Sequence, residues 1–150
     1  MAPYITAGAG FLLAVLWFDL MFDVQITRHR ATQIPESVLA SVAGYYRRVT
    51  TTAHPMNRLV AVVMLATLGV ITAQIVRGDR PHWVGWASLP LAGGPIVLAA
   101  LRTVPSAVRL GGRGDSPGIQ GQLARSILRD HVLCASGISA LIVIQLAFAQ

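Results

Sequence analysis

Two aspartates, Asp19 and Asp23, stand four residues apart near the end of an otherwise apolar run. On a helix that spacing puts both carboxylates on one face, about 6 Å from each other. Adjacent carboxylates repel, so the pair calls for a cation, a shared proton or arginine partners. His54, Asn57 and Arg58 recur at i, i+3 and i+4, again one helix face. Arg129, Asp130 and His131 are consecutive, so one or two of them can face inward while the others meet the membrane boundary.

These residues support two chemistries. Carboxylate from Asp19 and Asp23 with imidazole from His54 and His131 is a ligand set suited to a transition metal such as zinc, iron or manganese, and either histidine could be a haem axial ligand. Without metal, Asp19 or Asp23 would exchange protons with His54 while Arg58 or Arg129 stabilises negative charge, with Asn57 beside them. The same groups also suit a structural ion-pair network, because the end of a spanning helix is where charge is least costly.

The remaining polar residues favour packing and interface roles. His29 lies between two arginines and His82 beside Trp83, both interfacial settings. Pro55 gives His54 a helix-start role as an alternative to ligation. Tyr45 and Tyr46 are expected as interface anchors. Thr67, Thr72, Gln74, Ser136, Ser139 and Gln145 are expected to hold helix to helix. Cys134 is the only cysteine, which excludes an intrachain disulfide and a cysteine-cluster metal site, and it is expected as a small packing residue.

The elements that position these groups follow from composition. Apolar residues are 54% of the 150 and charged residues 12%, about half the charge that a soluble domain carries. A bilayer core about 30 Å thick requires roughly 20 mostly apolar residues per crossing helix. Four stretches meet this, at about 4–24, 57–76, 83–101 and 127–148. The first lacks the basic start of a secretory signal and is expected as a retained helix. Backbone groups in lipid must be satisfied internally, so the predicted fold is an all-α integral membrane four-helix bundle. Pro90, Gly93, Gly94 and Pro95 predict a kinked third span that a neighbour approaches closely.

Between spans 1 and 2, Val38, Val42, Tyr45, Tyr46 and Val49 recur at helical spacing, predicting an interfacial amphipathic helix over about 35–49. Residues 102–126, with Gly111, Gly112, Gly114, Pro117, Gly118 and Gly121, read as a flexible loop. All twelve basic residues are arginine, and the formal net charge is +6. Ten arginines (28, 30, 47, 48, 58, 102, 109, 113, 125 and 129) fall on the side of the two long loops, and only Arg77 and Arg80 fall opposite. Arginine-rich short loops stay in the cytoplasm, which predicts both termini outside, here across a bacterial plasma membrane. Spread along a boundary, these arginines suit anionic lipid headgroups and not nucleic acid. The Arg113, Gly114, Asp115 tripeptide resembles an adhesion motif but falls on that cytoplasmic side.

A first helix, an interfacial segment, a second helix opening with histidine and asparagine, and two more spans together resemble the layout of small four-helix membrane enzymes such as styrene oxide isomerase and the anthrone-oxygenase-like proteins. The styrene oxide isomerase pattern places a haem-ligating histidine at the start of the second helix, followed by an asparagine. Ala53, His54 and Asn57 stand in a comparable place, at shorter spacing, and the aspartate pair is no part of that pattern. The expectation is a membrane-embedded enzyme or metal- or haem-binding protein, of isomerase or oxidoreductase type, acting on a lipophilic small molecule. The alternatives are a non-catalytic accessory subunit of a larger membrane complex and a small proton-coupled transporter, although the mid-bilayer stretches carry no charge; a homo-oligomer or a larger membrane complex is the expected assembly.

Overall fold

The computed structural model describes residues 1–29 and 33–149, with the backbone alone at His54. The chain is helical: α1 (Ala2–Thr27), α2 (Glu36–Arg47), α3 (His54–Arg77), α4 (His82–Leu98), α5 (Val104–Gly112) and α6 (Pro117–Phe148). One π-helical turn, Arg48–Thr52, follows α2, and another, Ala99–Thr103, joins α4 to α5. No strand occurs among the described residues. Proline marks where the helices begin. Pro3, Pro55, Pro105 and Pro117 occupy first-turn positions, and Pro35 and Pro81 cap α2 and α4. In a first turn the missing N–H would have had no helical partner.

Four stretches are long and apolar enough to cross a membrane: Ala2–Thr27, Pro55–Arg77, His82–Gly112 and Pro117–Phe148. They close into a bundle in which α1 packs on α3 and α6, and α4 packs on the same two helices from the other side. In no span is more than 28% of the apolar window buried, so Trp17, Leu65, Val76 and their like face outward. That surface suits lipid, because contiguous apolar area of this extent is rare on proteins in water. The start of α1 lies beside the end of α6, so both termini share one end of the bundle.

At the other end, where arginine is concentrated, α2 and α5 pack on each other as a second layer. Their apolar faces join Ile26 of α1 and Ala124 and Ile127 of α6 in one buried cluster, separate from the mid-bundle cluster of Ile5, Ala9, Leu12, Ile71, Ala92, Ile138 and Leu141.

Two expectations need correction here. Residues 102–126 are not a flexible loop, because helix runs to Gly112 and resumes at Pro117. A Cβ on Gly111 would lie 2.9 Å from the backbone nitrogen of Arg47, so glycine at that position lets α5 press against α2. The third span stays helical through Pro90 and Pro95 and passes one turn later into the π-helical turn. The close approaches are not at Gly93 and Gly94, which have little or nothing near them. α6 instead presses on α4 at Gly137, where a Cβ would meet the Pro95 ring at 3.1 Å and the Leu91 carbonyl oxygen at 3.3 Å. Pro95 cannot donate to that carbonyl, and the proline-containing turn is covered by a residue with no side chain.

Candidate functional site

Asp19 and Asp23 lie one helical turn apart on α1 and both meet α6 at His131. The Nδ1–H of His131 donates to Asp23 Oδ2 at 2.7 Å, and its Nε2 faces Asp19 Oδ2 at 3.8 Å. The last turn of α2 supplies two phenols to the same carboxylates. Tyr46 donates to Asp23 Oδ1 at 2.6 Å, and Tyr45 donates to Asp19 Oδ1 at 2.7 Å. One imidazole therefore sits between two carboxylates, each held by a tyrosine hydroxyl.

Exposure grades across this network. Asp23 is 0% exposed, Tyr46 2% and His131 7%, whereas the Asp19 side chain keeps 15%. Asp19 is the edge of the site and Asp23 its sealed interior. Burial first, then the charge of the neighbouring aspartates and the hydrogen bonds to them, pushes both phenols well above the usual tyrosine range, so they remain donors. The Tyr45 ring stacks on Phe22 with centroids 3.9 Å apart and planes at 10°, and meets Tyr46 edge-on at 5.3 Å.

Asp130 and His131 are both buried, on different sides of α6. Asp130 turns toward the Ala99–Thr103 turn, where its Oδ2 lies 3.3 Å from Arg102 Nε and 3.4 Å from Thr103 Oγ1. Arg102 is half exposed and also donates to Ser126 Oγ at 2.8 Å. Arg129, the third of that consecutive trio, is exposed.

No protein-family model, no curated protein and no solved structure matches this chain. What can be said of its chemistry therefore comes from its own residues.

Of the residues singled out in the sequence, Asp19, Asp23 and His131 are brought together. The imidazole of His54 lies outside the described residues. Asn57 donates instead to the Thr50 carbonyl at 3.3 Å, tying the start of α3 to the π-helical turn before it. Arg58 is exposed and makes no hydrogen bond or ion pair among the described residues. Nor are three His, Cys, Asp or Glu side chains grouped to hold a metal ion among them. Two surface depressions, of about 310 and 520 Å³, are lined by Gln33–Glu36 with Pro117, and by the two chain ends.

Tyr45 and Tyr46 are not the interface anchors expected of them. Their place on the apolar stripe with Val38 and Val42 was the available signal, because a phenol on a buried face requires an acceptor. Cys134 is buried and its Sγ lies 3.7 Å from the Pro95 carbonyl, a packing position. The adhesion-like tripeptide is tied down at both charged ends, Arg113 to Glu36 and Asp115 to Arg109.

Proposed function

We propose that this chain is a membrane-embedded acid–base protein acting on a lipophilic small molecule that arrives from the bilayer, an isomerase-type activity in which a proton is removed and returned. The observation that carries this reading is the His131 imidazole set between Asp23 and Asp19. Asp23, buried and bonded to Nδ1, fixes the tautomer, which leaves Nε2 to trade a proton with Asp19 at the open edge. Tyr46 would position Asp23, and Tyr45 would hold Asp19. In this reading the arginine-rich end lies in the cytoplasm of a bacterial cell among anionic headgroups.

An isomerase that shuttles a proton exchanges it with solvent. Membranes containing equal amounts of wild type and His131→Gln, incubated in heavy water and extracted, are expected to differ in one lipid-soluble species that gains deuterium only with the wild type. Asp19→Asn should behave as His131→Gln does. Absence of any labelled species dependent on the wild type, with both variants accumulating normally, would sink the acid–base reading.

The orientation has its own test. Alkaline phosphatase fused after Gln150 should be active and green fluorescent protein at the same place dark. A fluorescent fusion with inactive phosphatase would reverse the assignment.

One observation favours a second reading, an accessory subunit of a larger membrane complex. The network joins α1, α2 and α6 and is nearly sealed, as a structural clamp would be. Purification from native membranes with unrelated chains in fixed proportion, without deuterium exchange, would support it.

A further inference from the structure

The open edge of the network is filled by part of the protein itself. Tyr45 is a hydroxylated flat ring at the margin of the buried cluster, with its face on Phe22 at 3.9 Å, its edge against Tyr46 at 5.3 Å, and its hydroxyl on Asp19 at 2.7 Å. Nothing in those contacts is particular to a side chain. They are what any phenol would make in the same place, since a ring face takes a ring and a carboxylate takes an O–H donor.

We infer that the position held by Tyr45 is a binding site for a second phenol. A membrane-soluble hydroxyaromatic molecule, an alkylphenol or a hydroquinone, displaces the Tyr45 ring, stacks on Phe22 and donates its hydroxyl to Asp19. This rests on the acid–base reading and gives it a substrate class.

Three features select Tyr45 as the displaceable member. It is half-buried, whereas Tyr46 beside it is sealed between Asp23 and His131. It stands in the last turn of α2 with its ring only partly covered, so the side chain can swing aside while Tyr46 and the rest of α2 stay packed. The approach is apolar: Phe18, one turn before Phe22, is 61% exposed and Met21 55%. A ligand's alkyl tail can lie along that surface of α1 while its hydroxyl reaches Asp19. Once bound, the phenolic O–H is attached to the carboxylate that faces His131 Nε2 at 3.8 Å, which places the ligand's proton beside the acid–base pair.

Binding is measured on the full chain in lipid nanodiscs by saturation-transfer NMR with three probes: para-propylphenol, its methyl ether, and para-propylcyclohexanol. The phenol should bind saturably. The ether, without the donor, and the cyclohexanol, without the flat ring, should each bind at least about tenfold more weakly, as loss of a hydrogen bond to a charged group or of ring stacking implies. Asp19→Asn and Phe22→Ala should weaken the phenol, and Tyr45→Ala should strengthen it by removing the internal competitor. A purely structural Tyr45 predicts the reverse for that last variant. Should Tyr45→Ala fail to accumulate, the three probes on wild type and on Asp19→Asn decide the matter. Unsaturable partitioning of all three probes, or equal binding of phenol and ether, would overturn the inference. His131-dependent deuterium exchange without phenol binding would remove this substrate class and leave the acid–base reading. Phenol binding without exchange would do the opposite.

Discussion

Replacing Asp23 with alanine is expected to cost about 2–6 kcal/mol, at about 1–3 kcal/mol for each of two buried donors left unpaired, and to leave little protein in the membrane. Both oxygens of Asp23 are in use, Oδ1 by the Tyr46 hydroxyl and Oδ2 by His131 Nδ1. Alanine would leave both donors inside a cluster that water does not reach, together with a void where the carboxylate stood. Asparagine in the same place should have a different effect. Its carbonyl can still accept from Tyr46 while its amide donates to His131 Nδ1, so the fold keeps its bonds and the imidazole proton moves to Nε2. Accumulation and thermal midpoint should then stay near wild type, within the range of a single repaired hydrogen bond, about 1 kcal/mol. The wild-type Nδ1–H tautomer and its reversal in Asp23→Asn are both readable by nitrogen NMR of the labelled imidazole. Equal loss of stability in the alanine and asparagine variants would show that charge, and not hydrogen bonding, holds the cluster. The two substitutions also divide function from structure, because exchange at Asp19 requires the Nδ1–H tautomer and folding does not.

How much of this was legible in the sequence depends on which force decides each feature. Apolar runs of about twenty residues set the spans, because the cost of unpaired backbone in lipid leaves few other outcomes. The expected 4–24, 57–76 and 83–101 fall within the observed helices and the turn that extends the third, with ends a few residues off. The segment from Gly111 to Gly121 misled because its composition is that of a turn. That composition is realised as a turn only at 113–116, between α5 and α6, while Gly111 stays in α5 and fits against the Arg47 backbone, a tertiary contact on which composition is silent. In the site, the i, i+4 spacing of Asp19 and Asp23 sufficed to align them, and the proximity of His131 followed from its place at the same arginine-rich end of its span as theirs. The tyrosine partners did not follow. A tyrosine at a membrane boundary has an inexpensive alternative, its hydroxyl among headgroups, and only the placement of α2 over α1 turns Tyr45 and Tyr46 inward. Asn57 and Arg58 shared the right helix face by spacing. The π-helical turn before α3 offers the Thr50 carbonyl to Asn57, and that local bond captures its side chain.

Gln145→Leu is expected to be the second most damaging single change, at about 3 kcal/mol, although it lies far from the aspartates. In the half of the bundle nearer the chain ends, Gln145 donates to Gln74 Oε1 at 3.0 Å and to Ser88 Oγ at 2.8 Å, joining α6 to α3 and α4. Gln74 donates back to Gln145 Oε1 at 3.4 Å, and all three residues are buried. This is the interhelical bonding expected of Gln74 and Gln145, whereas Thr67, Thr72 and Ser136 bond to carbonyls of their own helices. Leucine at 145 would strand the Gln74 amide and the Ser88 hydroxyl in an apolar span, at about 1–3 kcal/mol for each group left unpaired. The penalty arises from the orphaned partners more than from the lost bonds, which within membranes average well under about 1 kcal/mol each. Removing the partners as well should therefore restore stability. The triple variant Gln74→Leu, Ser88→Ala, Gln145→Leu is expected to recover most of the loss, its remaining deficit set by how well the leucines pack. Thermal unfolding in detergent of the wild type, the single and the triple variants distinguishes the cases. A triple variant less stable than the single would mean that these bonds stabilise the bundle outright. Recovery would mean that the amides specify which helix faces meet, and that the apolar packing of α6 between α1 and α4 supplies the stability.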